Sequence, residues 1–144
     1  MTPDEERLEG LFPGLSDGAW AVTSQATEDY NCVAWAMRDT SAWWWPTGAV
    51  RLGGYYWPRG VPADGSIAGF IAAFESLGFE VSEADDRDPG FERLAVYADA
   101  HERVSHVARQ LGDGTWTSKV GRLQDIRHQN PESLVGQAYG DIAV

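Results

Sequence analysis

Apolar residues recur at Ile67, Phe70, Ile71, Phe74 and Leu77, the i, i+3, i+4, i+7 spacing that lays one stripe along a helix. Ser66 or Asp64 can cap this segment and Gly78 can end it, so the pattern predicts a helix over about 66–77. Upstream, Cys32, Val33, Ala34, Trp35, Ala36 and Met37 are apolar on every side, which predicts a buried helix over about 29–39. Thr27, Asp29 or Asn31 can cap it, and Glu28 and Asp29 suit the positive end of its dipole. Residues 1 to about 20, broken by Pro13, Gly14, Asp17 and Gly18, read as an irregular lead-in.

The second half changes period. Leu94-Ala95-Val96-Tyr97 reads as a strand, and residues 104–111 and 115–120 read as a hairpin across Gly112-Asp113-Gly114. Phe79-Glu80-Val81 is expected to start a strand, and the acidic stretch 83–88 to form a loop. Residues 40–62 are aromatic and irregular, and the tail carries a short helix near Pro131-Glu132-Ser133-Leu134. Helices followed by an antiparallel sheet define an α+β fold. The 144 residues are expected to form one domain: the lead-in, a helical and aromatic-rich half over 29–78, and a sheet half over 79–140.

Composition narrows the function classes. A formal net charge of −11 argues against nucleic acid and against anionic membrane surfaces, both of which call for clustered Lys and Arg. One cysteine cannot form an internal disulfide, and the acidic start Met1-Thr2-Pro3-Asp4-Glu5-Glu6-Arg7 is unlike a signal peptide. No apolar run approaches the roughly 20 residues that span a bilayer. Cytoplasmic residence is the expectation, with signal-independent secretion left open. Three histidines and one cysteine show none of the close ligand pairs of zinc sites, so neither a metal nor a cofactor is expected. The acidic run Glu83, Asp85, Asp86, Asp88 reads as a solvated loop, with weak calcium binding a distant alternative.

The candidate chemistry lies in Cys32 and His106. Cys32 stands where a helix begins, and His106 stands in the β-like run Val104-Ser105-His106-Val107-Ala108-Arg109-Gln110-Leu111. A thiol needs to become thiolate to attack, and a helix N-terminus or a neighbouring imidazolium lowers its pKa. The bland reading is that Cys32 is a packing residue beside Val33, Ala34 and Trp35, and His106 a hydrogen-bonded strand residue.

The order of a helix-borne Cys32, an intervening helix and His106 on a hairpin strand resembles the core of the papain-like superfamily of cysteine peptidases and amidases, in its compact bacterial form. The phrases Asn31-Cys32-Val33-Ala34-Trp35-Ala36, Ser105-His106-Val107-Ala108-Arg109-Gln110-Leu111, Trp116-Thr117-Ser118-Lys119-Val120-Gly121 and Asp125-Ile126-Arg127-His128 are also similar to a group of uncharacterised bacterial single-domain proteins. The first likeness implies a papain-like core, a Cys32 nucleophile and a His106 base. It further implies a third residue that orients the imidazole, on the strand just after the histidine.

Candidates for that third residue are Ser118, Asp125 and His128. A two-residue turn at Asp113-Gly114 sets Ser118 opposite Arg109, on the face away from His106. A three-residue loop, Gly112-Asp113-Gly114, pairs Ser118 with Ala108 and returns it to the His106 face. Asp125 follows Gly121 in an expected loop and escapes this constraint, and a carboxylate suits an imidazolium, so Asp125 is the favoured orienter. The oxyanion donor is expected from the Cys32 backbone N–H, with Gln25, Asn31 or Tyr30 adding a side chain. Asn31 reads equally as a helix cap. Trp35, Trp44 and Trp57 can wall a substrate groove, although core packing is the commoner fate of tryptophan.

Together these features lead to the expectation of a cysteine hydrolase that cleaves or deamidates an amide bond in a peptide or protein. The rival expectation is a non-catalytic acidic binding domain that neutralises or adapts a protein partner, with Cys32 buried. Thiol reactivity separates the two.

Overall fold

The computed structural model describes residues 1–46, 55–82 and 92–144. It combines helices with an antiparallel six-stranded sheet, an α+β arrangement. The sheet strands are β1 (Ala21–Val22), β4 (Leu94–Ala98), β5 (Val104–Gln110), β6 (Trp116–Lys119), β7 (Asp125–His128) and β8 (Asp141–Ile142). They lie in the order β1-β7-β6-β5-β4-β8. Two further short strands, β2 (Trp43–Trp44) and β3 (Tyr55–Tyr56), pair in parallel beside it.

Alternation along the strands divides the interior in two. Ala95, Tyr97, Ala108, Trp116 and Ile126 meet helix α1 (Pro3–Leu11) and the 3-10 turns Pro13–Asp17 and Pro131–Leu134 through Leu8, Phe12, Leu15 and Leu134. Val96, Val104 and Val107 meet helices α2 (Cys32–Ala36) and α3 (Ile67–Ser76) through Cys32, Val33, Ala36, Phe70, Ala73 and Phe74. Because both faces are covered, the central strands are buried nearly throughout.

Several expectations are corrected. The lead-in is not irregular: Pro3 at the first helical position and a capping box between Thr2 and Glu5 start α1. Its moment is weak because only Leu8 is buried along it, so the apolar spacing carried no signal. Helix α2 is five residues, not eleven. Asn31 caps it, its Oδ1 accepting from the N–H of Ala34 at 3.1 Å, and Arg38 at φ 61° breaks it. Phe79–Val81 forms no strand: the Phe79 N–H closes the end of α3 on Phe74 O at 3.0 Å. Helix α3 matches its expectation, with Ser66 as cap. The expected acidic loop at 83–88 lies outside the described residues.

The β5–β6 connection settles the register. Arg109 pairs with Thr117 and Gln110 with Trp116, closing the three-residue loop Gly112-Asp113-Gly114, with Gly114 at φ 91°. Ser118 therefore falls opposite Ala108. At the other end of β5 a bulge between Tyr97–His106 and Ala98–Val104 inserts Ser105. Its hydroxyl donates to Tyr139 O. This fixes a strap, residues 136–140, that is closed on itself by paired bonds between Gly136 and Gly140 of 3.1 and 2.8 Å.

Gly140 is required by that strap. It sits at φ +79°, and a Cβ there would stand 2.1 Å from Ala98 O. Gly140→Ala is expected to cost at least about 2 kcal/mol, since a left-handed non-glycine residue alone costs about 1–3 kcal/mol. Urea unfolding checks this, and a loss below about 0.5 kcal/mol would mean that the strap is rebuilt cheaply.

Candidate functional site

Cys32 is the first residue of α2 and is 6% exposed. It packs among Val33, Phe70, Val96 and Val107. Burial pushes its thiol up to about 11, against the opposing pull of the backbone N–H groups of Val107, Val33 and Cys32 itself and of the Lys119 ammonium. At neutral pH this thiol is protonated.

His106 is the neighbour of Val107 on β5, and successive side chains of a strand leave on opposite faces. Its imidazole is fully buried and meets Tyr97 and Tyr139, the latter stacked flat on it at 4.2 Å and 4°. Its Nε2 lies 2.9 Å from Ser118 Oγ, which in turn lies 2.9 Å from His128 Nε2. The His128 Nδ1 lies 2.9 Å from Asn130 O. His106 Nδ1 is buried and has no hydrogen-bond partner, Cys32 included. Burial, then the neighbouring His128, holds the His106 pKa well below the usual imidazole value, and burial brings His128 down to about 4. The Tyr139 phenol is held protonated by burial first and then by the proximity of Cys32.

The structure thus joins His106 to Ser118 and His128. It does not join His106 to Asp125, the favoured candidate; of the three candidates it is Ser118 that meets the imidazole directly. Asp125 begins β7 opposite Lys119 instead of lying in a loop, on the face away from Ser118. Its Oδ2 accepts from Tyr30 Oη at 2.7 Å, while its Oδ1 is buried without a partner. Burial raises the Asp125 pKa, against the Tyr30 hydrogen bond and the Lys119 charge.

Lys119 was not foreseen. It is fully buried, and its Nζ donates to the carbonyls of Thr27, Gly121 and Leu123 at 2.8, 2.6 and 2.6 Å. It also lies 5.4 Å from the centre of the Tyr30 ring. Burial lowers its pKa, and Asp125, Cys32 and Glu28 counter that. The one available signal was a lysine inside an otherwise uncharged strand. Tyr139 carried no signal beyond its flanking glycines.

Asn31 is consumed as a cap and as a tie to Trp44, giving to its carbonyl at 2.9 Å and receiving from its N–H at 3.0 Å. It is not free to serve as an oxyanion donor, and Gln25 is exposed. The expected groove is not formed by its three tryptophans. Trp57 is 4% exposed, packed edge-on against Phe70. Trp35 is tied through Nε1 to Thr117 Oγ1 at 2.9 Å and stacks on Tyr30. Trp44 donates to Asp39 and borders a surface depression with Met37, Leu77 and Phe79. A second depression runs along Tyr56, Trp57, Pro58 and Arg59. Neither is lined by Cys32 or His106. Among the described residues, no group of three His, Cys, Asp or Glu is placed to hold a metal ion, and no helix is long and apolar enough to cross a membrane.

What the fold and site define is an α+β protein with a helix-borne thiol and a strand-borne imidazole held in a buried polar chain. Residues 21–144 match the family described as a domain of unknown function (DUF7689), and the chain belongs to that family. Comparison with curated proteins and with solved structures gave no match.

Two buried neutral imidazoles make the fold sensitive to acid. The unfolded chain binds protons below about pH 6.5, whereas folded His128 resists until about 4, so its contribution is complete above pH 6.5 and is lost as pH falls to about 4. That shift corresponds to about 3 kcal/mol at one pKa unit per 1.36 kcal/mol, and His106 acts in the same sense. Asp125, with its raised pKa, opposes them at the acid end. The melting temperature is expected to drop by several degrees between pH 7 and 4.5, and to drop less in His128→Gln. A flat profile would show that the rings are hydrated or charged in the native state.

Proposed function

We propose that this protein is a cysteine hydrolase acting on an amide bond, with Cys32 as nucleophile and His106 as base through Nδ1. The observation that carries the reading is the bare, buried Nδ1 of His106. A buried polar atom without a partner is costly and calls for an explanation, and a catalytic role is one such explanation. Here the opposite ring nitrogen is held by Ser118, which leaves Nδ1 as the atom able to take a proton. The order of a cysteine-bearing helix before an antiparallel sheet with the histidine is compatible with a papain-like core.

In the reaction, His106 Nδ1 takes the Cys32 proton and the sulfur attacks the amide carbon. The C–N bond breaks, the amine leaves with the proton from His106, and water cleaves the thioester to a carboxylic acid. The present arrangement is a resting one: Cys32 packs on the Val107 face of β5, and His106 leaves the strand on the other face, beside Tyr97 and Tyr139. The thiol is neutral, it makes no hydrogen bond to His106, and Tyr139 lies over the imidazole. The reactive state therefore requires the thiol and Nδ1 to be brought to one side of β5, with water admitted past Tyr139 to favour the thiolate–imidazolium form over the neutral pair. A peptide or protein amide is the substrate class that fits this chemistry.

A second reading has its own support. The burial of Cys32, its thiol near 11 and the net charge of −11 suit a non-catalytic domain that binds a basic protein partner. Iodoacetamide alkylation of Cys32 across pH separates the two. The hydrolase reading expects labelling in the native state with an apparent pKa below about 8.5, slowed at least about tenfold in His106→Ala. Labelling that only tracks global unfolding, indifferent to His106, would leave the binding domain.

A further inference from the structure

We infer that His128 is a positioning residue that fixes the tautomer of His106 through the hydroxyl of Ser118. The inference rests on the hydrolase reading for its catalytic meaning, while the tautomer itself is a property of the fold.

The argument starts at Asn130, whose carbonyl oxygen can only accept. His128 Nδ1, 2.9 Å away, must therefore carry the hydrogen. His128 is buried, and among the described residues no carboxylate bonds its ring, so it is held neutral. Its Nε2 is then bare and accepts, and the group facing it at 2.9 Å is the Ser118 hydroxyl. Ser118 has one hydrogen, spent on His128, so its oxygen must accept from His106 Nε2. His106 is thereby held with hydrogen on Nε2 and a lone pair on Nδ1. Reversing the Ser118 hydroxyl would set its oxygen lone pairs against the bare His128 Nε2. The far end of the chain, two side chains from the reacting centre, thus decides which nitrogen of His106 can act as base.

Packing lets the chain transmit this choice. Ser118 and His128 are fully buried on adjacent strands, and Tyr97 and Tyr139 both pack against the His106 ring. Each ring is also pinned by its hydrogen bonds, His106 to Ser118 and His128 to both Ser118 and Asn130.

The test is a long-range proton–nitrogen correlation spectrum of protein carrying 15N-histidine at neutral pH. Exposed His101 serves as an averaged internal reference. His106 is expected as pure Nε2–H and His128 as pure Nδ1–H. In His128→Phe, which keeps a ring but removes the acceptor, the His106 nitrogens are expected to move toward averaged values. In His128→Gln, whose side-chain oxygen can accept from Ser118, they are expected to return. Cys32 alkylation should fall a few-fold in the first variant and recover in the second. A wild-type His106 with hydrogen on Nδ1 overturns the inference, as does an unchanged tautomer in folded His128→Phe. If that variant does not fold, Ser118→Ala takes its place and the wild-type spectrum still decides. A tautomer that shifts as expected beside alkylation indifferent to His106→Ala upholds the positioning and removes the hydrolase reading. An unshifted tautomer beside alkylation that needs His106 does the reverse.

Discussion

The register of the β5–β6 hairpin governs what this sheet can hold, because strand side chains alternate and a one-residue slip would exchange every one of them. The three-residue loop at Gly112–Gly114 sends Ser118 to the His106 face, and Thr117 and Lys119 to the opposite face. On that opposite face Thr117 receives Trp35, and Lys119 lies beside Tyr30. One turn therefore fixes both the polar chain behind the imidazole and the platform that seats the cysteine helix. The register continues into β7, where Ile126 pairs with Ser118 and His128 with Trp116, which puts His128 within reach of the Ser118 hydroxyl.

Helix α2 illustrates why the platform matters. Five residues cannot sustain a helix in water on propensity, since nucleation alone is unfavourable. Asn31 caps its start and ties it to Trp44, Trp35 anchors its outer face to β6, and Val33 and Ala34 are fully buried. Just before it, the Lys119 ammonium draws the Thr27 carbonyl toward the Gly121–Leu123 turn. Removing a charge from water is tolerated only when its hydrogens are all satisfied, and three carbonyls do this for the three N–H bonds of the ammonium.

What could be read from the sequence followed from strong local periodicity. Helix α3, β4 and the hairpin were legible, because apolar spacing and turn glycines marked them directly. The α1 helix was hidden because it turns a mostly polar surface outward and buries Leu8 alone. The site was legible in membership more than in wiring. Cys32, His106, Ser118, His128 and Asp125 all lie in or beside the buried polar groups, but assigning partners required the register, which two loop lengths fitted equally well. Asp125 was favoured on charge, yet its place in β7 turns it to Tyr30. Tyr139 reaches the imidazole through a strap fixed by the Ser105 bulge, a long-range contact that no local pattern encodes.

Lys119 is the only lysine in the sequence, and it is sealed inside the folded domain. Over the domain's whole surface, acylating reagents and lysine-modifying enzymes meet no side-chain amine while the fold is intact. Acylation at Lys119 would therefore serve as a chemical clock for opening of the sheet, read at one position with no other side-chain amine to compete.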